Sequence, residues 1–141
     1  MARRKSLAFL DVGQGDCFVA DTKSGAIIFD GGSSSEDQVG RYRILPYMKY
    51  LGYQKIQIAV ISHMDIDHYS GIKELLEMGK IKYLGLPEIP KDDTMKKIIG
   101  IAKKRGTTIF YLSRGRQITT KDGSLKVLHP QKNSQMEKNA A

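Results

Sequence analysis

Ser62 to Gly71 read SHMDIDHYSG and follow directly on the apolar run IQIAVIS, residues 56–62. Two of the chain's three histidines, His63 and His68, fall within six positions together with Asp65 and Asp67. Such a cluster is either a metal cradle or the polar end of a strand. In an extended segment alternate side chains share a face. The spacing therefore predicts His63, Asp65 and Asp67 on one side, Met64 and Ile66 turned into the core, and His68 at the bend into the next helix. Ligands grouped at the carboxyl end of a buried strand occupy the position where open α/β sheets bind. Imidazole and carboxylate are suitable donors for Zn²⁺, Mn²⁺ or Fe²⁺. Packed this closely, they repel one another or lose hydration at a cost unless a cation sits among them.

Outward from this stretch, the chain divides into short, readable elements. IQIAVIS is a near-continuous apolar run, as expected of a strand buried on both faces. Upstream, SLAFLDVG and DCFVADT read as strands separated by the turn residues GQG, and SGAIIFDGG as a third strand ended by Gly31 and Gly32. SSSEDQ reads as a loop. VGRYRILPYMKYLG reads as a helix stopped at Gly52, with Pro46 either kinking it or opening its second half. Downstream, SGIKELLEMG is a helix stopped at Gly79 and KIKYLGLPE a strand. DDTMKKIIGIAKKRG is the clearest helix, with Met95, Ile98, Ile99 and Ala102 on one face. Asp92 and Asp93 suit its start and Lys103 to Arg105 its end. TTIFYLSRG returns as a strand, and QITTKDGSLKVLHP reads as a hairpin turning at Asp122–Gly123. A meander followed by alternating helices and strands predicts an α/β layered domain.

The chain of 141 residues suits one domain spanning 1–141, with 131–141 (QKNSQMEKNAA) a polar, structureless tail at which the sequence looks cut. Its 40% hydrophobic and 27% charged content is that of a globular chain, not a disordered one. No apolar run has the length of a membrane helix, so a soluble piece is expected. The single cysteine, Cys17, excludes a disulfide framework and a cysteine-rich zinc site, and reads as a buried structural thiol. The net charge of +8 favours polyanions, nucleic acid before anionic membrane, against the plainer reading of a solvated surface. Arg41, Arg43, Arg114 and Arg116 are candidate nucleic-acid contacts.

Further candidates lie outside the central motif. FLDVGQGD places Asp11 and Asp16 on either side of a glycine turn, and IIFDGG places Asp30 at a strand end. Such acids can orient a metal-bound histidine from behind or simply cap a turn. Asp30 is read in the first role, and Asp16 in either. His129, in KVLHP, is a candidate ligand or an ordinary hydrogen-bonded residue at a strand end.

SHMDIDH resembles the HxHxDH signature of the metallo-β-lactamase superfamily, with Asp65 standing where the second histidine usually is. FLDVGQGD, FDGG, LPYMKYLG and SHMDIDHYSG follow in the order seen in ComEC-type DNA-internalisation competence proteins, over about Leu7 to His129. The resemblance implies a metallo-β-lactamase-like αββα sandwich, of which this chain is approximately the N-terminal half. It implies two divalent-metal sites in the complete domain, with His63 and Asp65 serving the first and Asp67 and His68 the second. Asp67, the implied catalytic residue, would face metal-bound water, the family's nucleophile. Zinc or manganese is the expected ion, and the Asp65 carboxylate moves the preference toward Mn²⁺ or Mg²⁺. DNA is the implied substrate, and the parent protein would carry a channel in the bacterial cell membrane. No other protein partner is expected.

Two departures accompany the resemblance. Ser70 replaces the first glycine of the usual DHxGG, and a serine at a helix start is a good cap. The family's TGD-type segment, whose aspartate bridges both metals, and its later histidine are not in this sequence. This chain is therefore expected to hold metal weakly, if at all, and to turn over little. Two other readings stay open: a hydrolase of the same fold acting on a small phosphoester or lactone, and a non-catalytic binding module.

Overall fold

The computed structural model describes residues 6–112 and, beyond them, the strand residues 117–120 and 123–126. Strands β1 (Ser6–Phe9), β2 (Cys17–Thr22) and β3 (Gly25–Gly31) form an antiparallel meander. A π-helical turn, Gly40–Ile44, runs into α1 (Leu45–Leu51). There follow β4 (Ile56–Val60), α2 (Ile66–Glu77), β5 (Ile81–Pro87), α3 (Asp93–Arg105) and β6 (Thr108–Leu112). The sheet order is β1-β2-β3-β4-β5-β6, and β3 through β6 are parallel. A separate two-stranded sheet pairs β7 (Gln117–Thr120) with β8 (Gly123–Lys126). The expected α/β class is the one observed, with one helical layer on a six-stranded sheet.

The helix boundaries follow from local chemistry. Asp92 accepts a hydrogen bond from the Met95 N–H at 2.8 Å and so starts α3, and Gly106 ends it in the left-handed conformation. Pro46 lies in the first turn of α1, where no N–H is needed, so it opens that helix rather than kinking it. In the hairpin, Thr120 pairs with Gly123, which places Gly123 in the second strand. Asp122 lies outside the described residues, as do Arg114, Arg116, His129 and the 131–141 stretch.

The two faces of the six-stranded sheet differ. Val19, Ile28, Ala59, Leu84 and Leu86 pack on one side against Ile44 and Met48, Ile72, Leu75 and Leu76 of α2, and Met95, Ile98 and Ala102 of α3. On the other side Ala20, Ile27, Val60 and Leu112 are buried beneath half-buried Phe29, Ile58 and Phe110, and no residue of the described helices joins them. Phe9, Phe18 and Phe29 run across β1, β2 and β3 on that side, with ring centroids 4.7 and 5.9 Å apart.

The central motif departs from the extended reading. β4 ends at Val60, and α2 begins at Ile66, so Asp67 and His68 lie in the first turn of a helix rather than along a strand. Met64 packs against the core as expected, whereas Ile66 is 52% exposed. Strict alternation fails because the chain leaves the sheet before the motif begins.

Candidate metal centre

The site forms where the carboxyl ends of β3 and β4 meet the first turn of α2. Asp65 is the residue before that helix, with extended backbone (φ −100°, ψ 150°). An aspartate there ordinarily accepts a hydrogen bond from the first-turn amides. Asp65 makes no such bond; only its main-chain oxygen accepts, from the His68 and Tyr69 amides at 2.9 and 3.1 Å. Its carboxylate instead groups with Asp67 and His68, one ligand atom from each lying within 4.8 Å of the others. The helix N-terminus favours the negative charge of Asp67 in its first turn.

His68 has different surroundings at its two nitrogens. Nε2 lies 3.8 Å from Asp67 Oδ1, on the side of the cluster. Nδ1 lies 3.2 Å from Asp30 Oδ2 and 3.5 Å from Asp16 Oδ2. The atom is buried, and neither carboxylate is aligned for a hydrogen bond, so Nδ1 has close acceptors but no formed bond. A carboxylate behind an imidazole nitrogen is the arrangement that orients a metal-binding histidine. Asp30 is itself held firmly: the Ser62 N–H donates to Oδ1 at 2.7 Å and the Ser62 hydroxyl to Oδ2 at 2.6 Å. Its backbone is in the left-handed region (φ 61°), which aspartate tolerates better than most residues.

His63 stands beside this group. It is exposed, its Nδ1 is 2.9 Å from the Ser62 hydroxyl, and its ring centroid is 5.1 Å from that of His68. Its ligand atoms are not among those that share the 4.8 Å cluster. Asp11 caps its own turn by accepting from the Gly13 N–H at 3.1 Å. Cys17 is buried as expected; burial, then the charges of Asp30 and Asp16, push its thiol up to about 12. Arg41 is exposed, with its N–H donating to Glu74 Oε1 at 3.2 Å, and the Arg43 guanidinium pairs with Glu36 at 3.0 Å.

The residues that the sequence left as plain loop or cap are what hold the site together. The Asp16 N–H donates to the Asp67 carbonyl at 3.1 Å, and the Gly32 N–H to the Asp16 carbonyl at 3.2 Å. Ser70 is inside α2 rather than at its start. Its hydroxyl accepts from the Ser33 N–H at 2.9 Å, tying the serine loop to the helix. Ser33 Oγ accepts in turn from the Ser35 and Glu36 amides at 3.2 and 3.0 Å. Three backbone segments approach so closely that side chains are excluded. A Cβ at Gly15 would lie 1.9 Å from the Gly32 carbonyl oxygen, and one at Gly32 would lie 2.5 Å from that of Ile66. Nothing in the local sequence of the serine run marked this role, because its partners are 20 or more residues away.

The donor set fits a divalent cation. Two carboxylates and an imidazole within one ion's reach, with a further carboxylate behind the imidazole, form an anionic pocket that a cation would neutralise. Carboxylate oxygens suit hard ions such as Mg²⁺ and Mn²⁺, and the imidazole also admits Zn²⁺.

Residues 10–131 match the Metallo-beta-lactamase superfamily. The chain is 29% identical over 140 residues to ComE operon protein 3 of Bacillus subtilis (strain 168), covering 86% of this chain and 18% of that protein. It thus spans less than a fifth of the length of that relative. Among solved structures, a CmlA beta-hydroxylase mutant is similar over 90% of this chain and 25% of its own, with 14% identity and a TM-score of 0.46.

Proposed function

The chain belongs to the metallo-β-lactamase superfamily, and from that premise we propose that it is the hydrolase domain of a DNA-uptake protein, cleaving phosphodiesters with a divalent metal. One observation carries the reading: Asp65, Asp67 and His68 converge within 4.8 Å at the first turn of α2. The motif order that resembles ComEC-type competence proteins, together with the similarity to ComE operon protein 3, supports DNA as the substrate, and so does the net charge of +8. Under this reading the parent protein resides in the bacterial cell membrane. No helix among the described residues is long and apolar enough to cross one.

Asp65, Asp67 and His68 would hold the cation, with His63 at the margin. A bound divalent ion would supply Lewis-acid polarisation of the phosphoryl oxygen and a strong nucleophile at neutral pH. Asp67, besides helping to hold the cation, would face the attacking water. Asp30 holds the His68 ring from behind, and Ser62 fixes Asp30. With three convergent ligand atoms among the described residues, the 141-residue chain is expected to bind metal weakly and cleave slowly.

The test pairs thermal denaturation with cleavage of an end-labelled DNA oligonucleotide. Millimolar Mn²⁺ or Zn²⁺ should raise Tm modestly, and Asp67→Ala should abolish the shift. Any cleavage should require metal and disappear in the same variant. Identical melting curves for both proteins with and without metal would overturn the site. Metal binding combined with hydrolysis of small phosphoesters or lactones, and intact DNA, would move the reading to a small-molecule hydrolase.

A further inference from the structure

A cleft of about 390 Å³ lies between α2 and the start of α3, outside the ligand cluster. From α2 it is lined by Ile66, Tyr69 and Lys73, and from α3 by Asp93, Thr94 and Lys97. The spacing of 66, 69 and 73 puts these residues on one stripe of α2. That stripe starts within the metal motif: Ile66 lies between Asp65 and Asp67, and Tyr69 follows His68. The cleft therefore leads away from the cluster along the same helix.

Its chemistry has two parts. Ile66 is 52% exposed, and with the half-buried Tyr69 it forms an apolar and aromatic wall. Two ammonium groups face one carboxylate. Lys73 lies 3.5 Å from Glu77, while Lys97 is exposed and makes no ion pair among the described residues. Elsewhere on α3, Lys96, Lys103, Lys104 and Arg105 are exposed. An apolar wall beside two lysines, one of them without an ion pair among the described residues, suits a nucleotide, whose base or sugar takes the wall and whose phosphate takes the cations. A volume of about 390 Å³ is at the small-ligand end of the pocket range, too small for a duplex.

We infer that this cleft is a nucleotide subsite. It seats the residue of single-stranded DNA next to the phosphodiester at Asp65, Asp67 and His68, with Lys73 and Lys97 on the phosphates and Ile66 with Tyr69 against the base or sugar. The inference rests on the DNA reading above.

Fluorescence anisotropy of a labelled oligothymidylate with the full chain in EDTA tests it, across a salt series that yields the slope of log K against log salt. Each phosphate contact on a single strand contributes about 0.7 to that slope. The double variant Lys73→Gln/Lys97→Gln should flatten the slope by about 1.4 and weaken binding roughly tenfold at low salt. Lys97→Gln alone, at an exposed position, should show about half the slope change. Lys49→Gln on α1, also exposed, should leave both unchanged, and all variants should melt as the parent does. Parent binding with a full slope retained in the double variant overturns the cleft and leaves the DNA reading standing. If the parent shows no salt-dependent binding, the DNA reading falls and the subsite falls with it.

Discussion

His68 has Asp67 3.8 Å from one ring nitrogen and Asp30 3.2 Å from the other. This makes Asp30 the residue whose loss separates the positioning of the site from its ligands. Asp30→Asn keeps the left-handed backbone accessible but removes the charge behind the imidazole. Metal affinity, read by a thermal-shift titration with Mn²⁺, should fall about tenfold, with the ligands themselves intact. Asp30→Ala loses both bonds from Ser62 and places a Cβ-bearing residue with no polar compensation at φ 61°. It should cost roughly 3 kcal/mol in urea denaturation, since hydrogen bonds to a charged group are worth about 1.5–3 kcal/mol. Cys17 supplies a simpler check. Buried, and with its thiol pushed up to about 12, it should resist alkylation by iodoacetamide at pH 8 in the native protein and react once urea unfolds it.

At the scale of elements, glycines divide into those that permit contact and those that only weaken a helix. Gly15, Gly32 and the start of α2 form a junction in which the DVGQGD turn, the end of β3 and the metal motif share backbone hydrogen bonds. Gly15→Ala forces that junction apart. It should lower stability by about 1–3 kcal/mol, the usual cost of overpacking, and remove the metal-induced Tm shift as well. Gly100 is in α3 with nothing within 4 Å of its would-be Cβ. There Gly100→Ala should stabilise by about 0.5–1 kcal/mol, because alanine loses less backbone entropy in a helix. Between the π-helical turn and α2, Glu74 is a second point of contact. Its carboxylate accepts from the Arg41 N–H, and burial raises its carboxyl above the ordinary value, with Glu77 adding and Arg41 opposing. A carboxyl raised in the folded state is penalised when it ionises. That penalty is absent at low pH and appears as pH rises past the ordinary glutamate range. Glu74→Gln still accepts the amide hydrogen, so its gain in Tm over the parent should be larger at pH 7 than at pH 4.

Across the whole molecule, one sheet face is covered by helices and the other carries Phe9, Phe18, Phe29, Ile58 and Phe110 without a helical layer among the described residues. Phe9 is 83% exposed and Leu7 66%, both on the edge strand β1. Replacing both by threonine should lower the fluorescence of a bound hydrophobic dye while leaving Tm within a degree or two, because these side chains gain little from burial. The identity of the elements was legible in the sequence because it depends on local properties. Apolar runs of strand length, the Met95–Ala102 stripe, and capping aspartate and glycine residues all act over a few positions. The metal motif was legible as a composition, two imidazoles and two carboxylates in six residues. Its geometry was not. Alternation predicted His63 with Asp65 and Asp67 on one face, whereas the helix begins at Ile66 and groups Asp65 with Asp67 and His68. The helix could start there because Asp16, Gly32 and Ser33 satisfy or crowd its first turns from 34 or more residues upstream. Sequence by itself determined which donors are available and roughly where along the chain they fall. Only the tertiary structure decided which of them meet, since hydrogen bonds and backbone contacts between distant segments set where the strand stops and the helix starts.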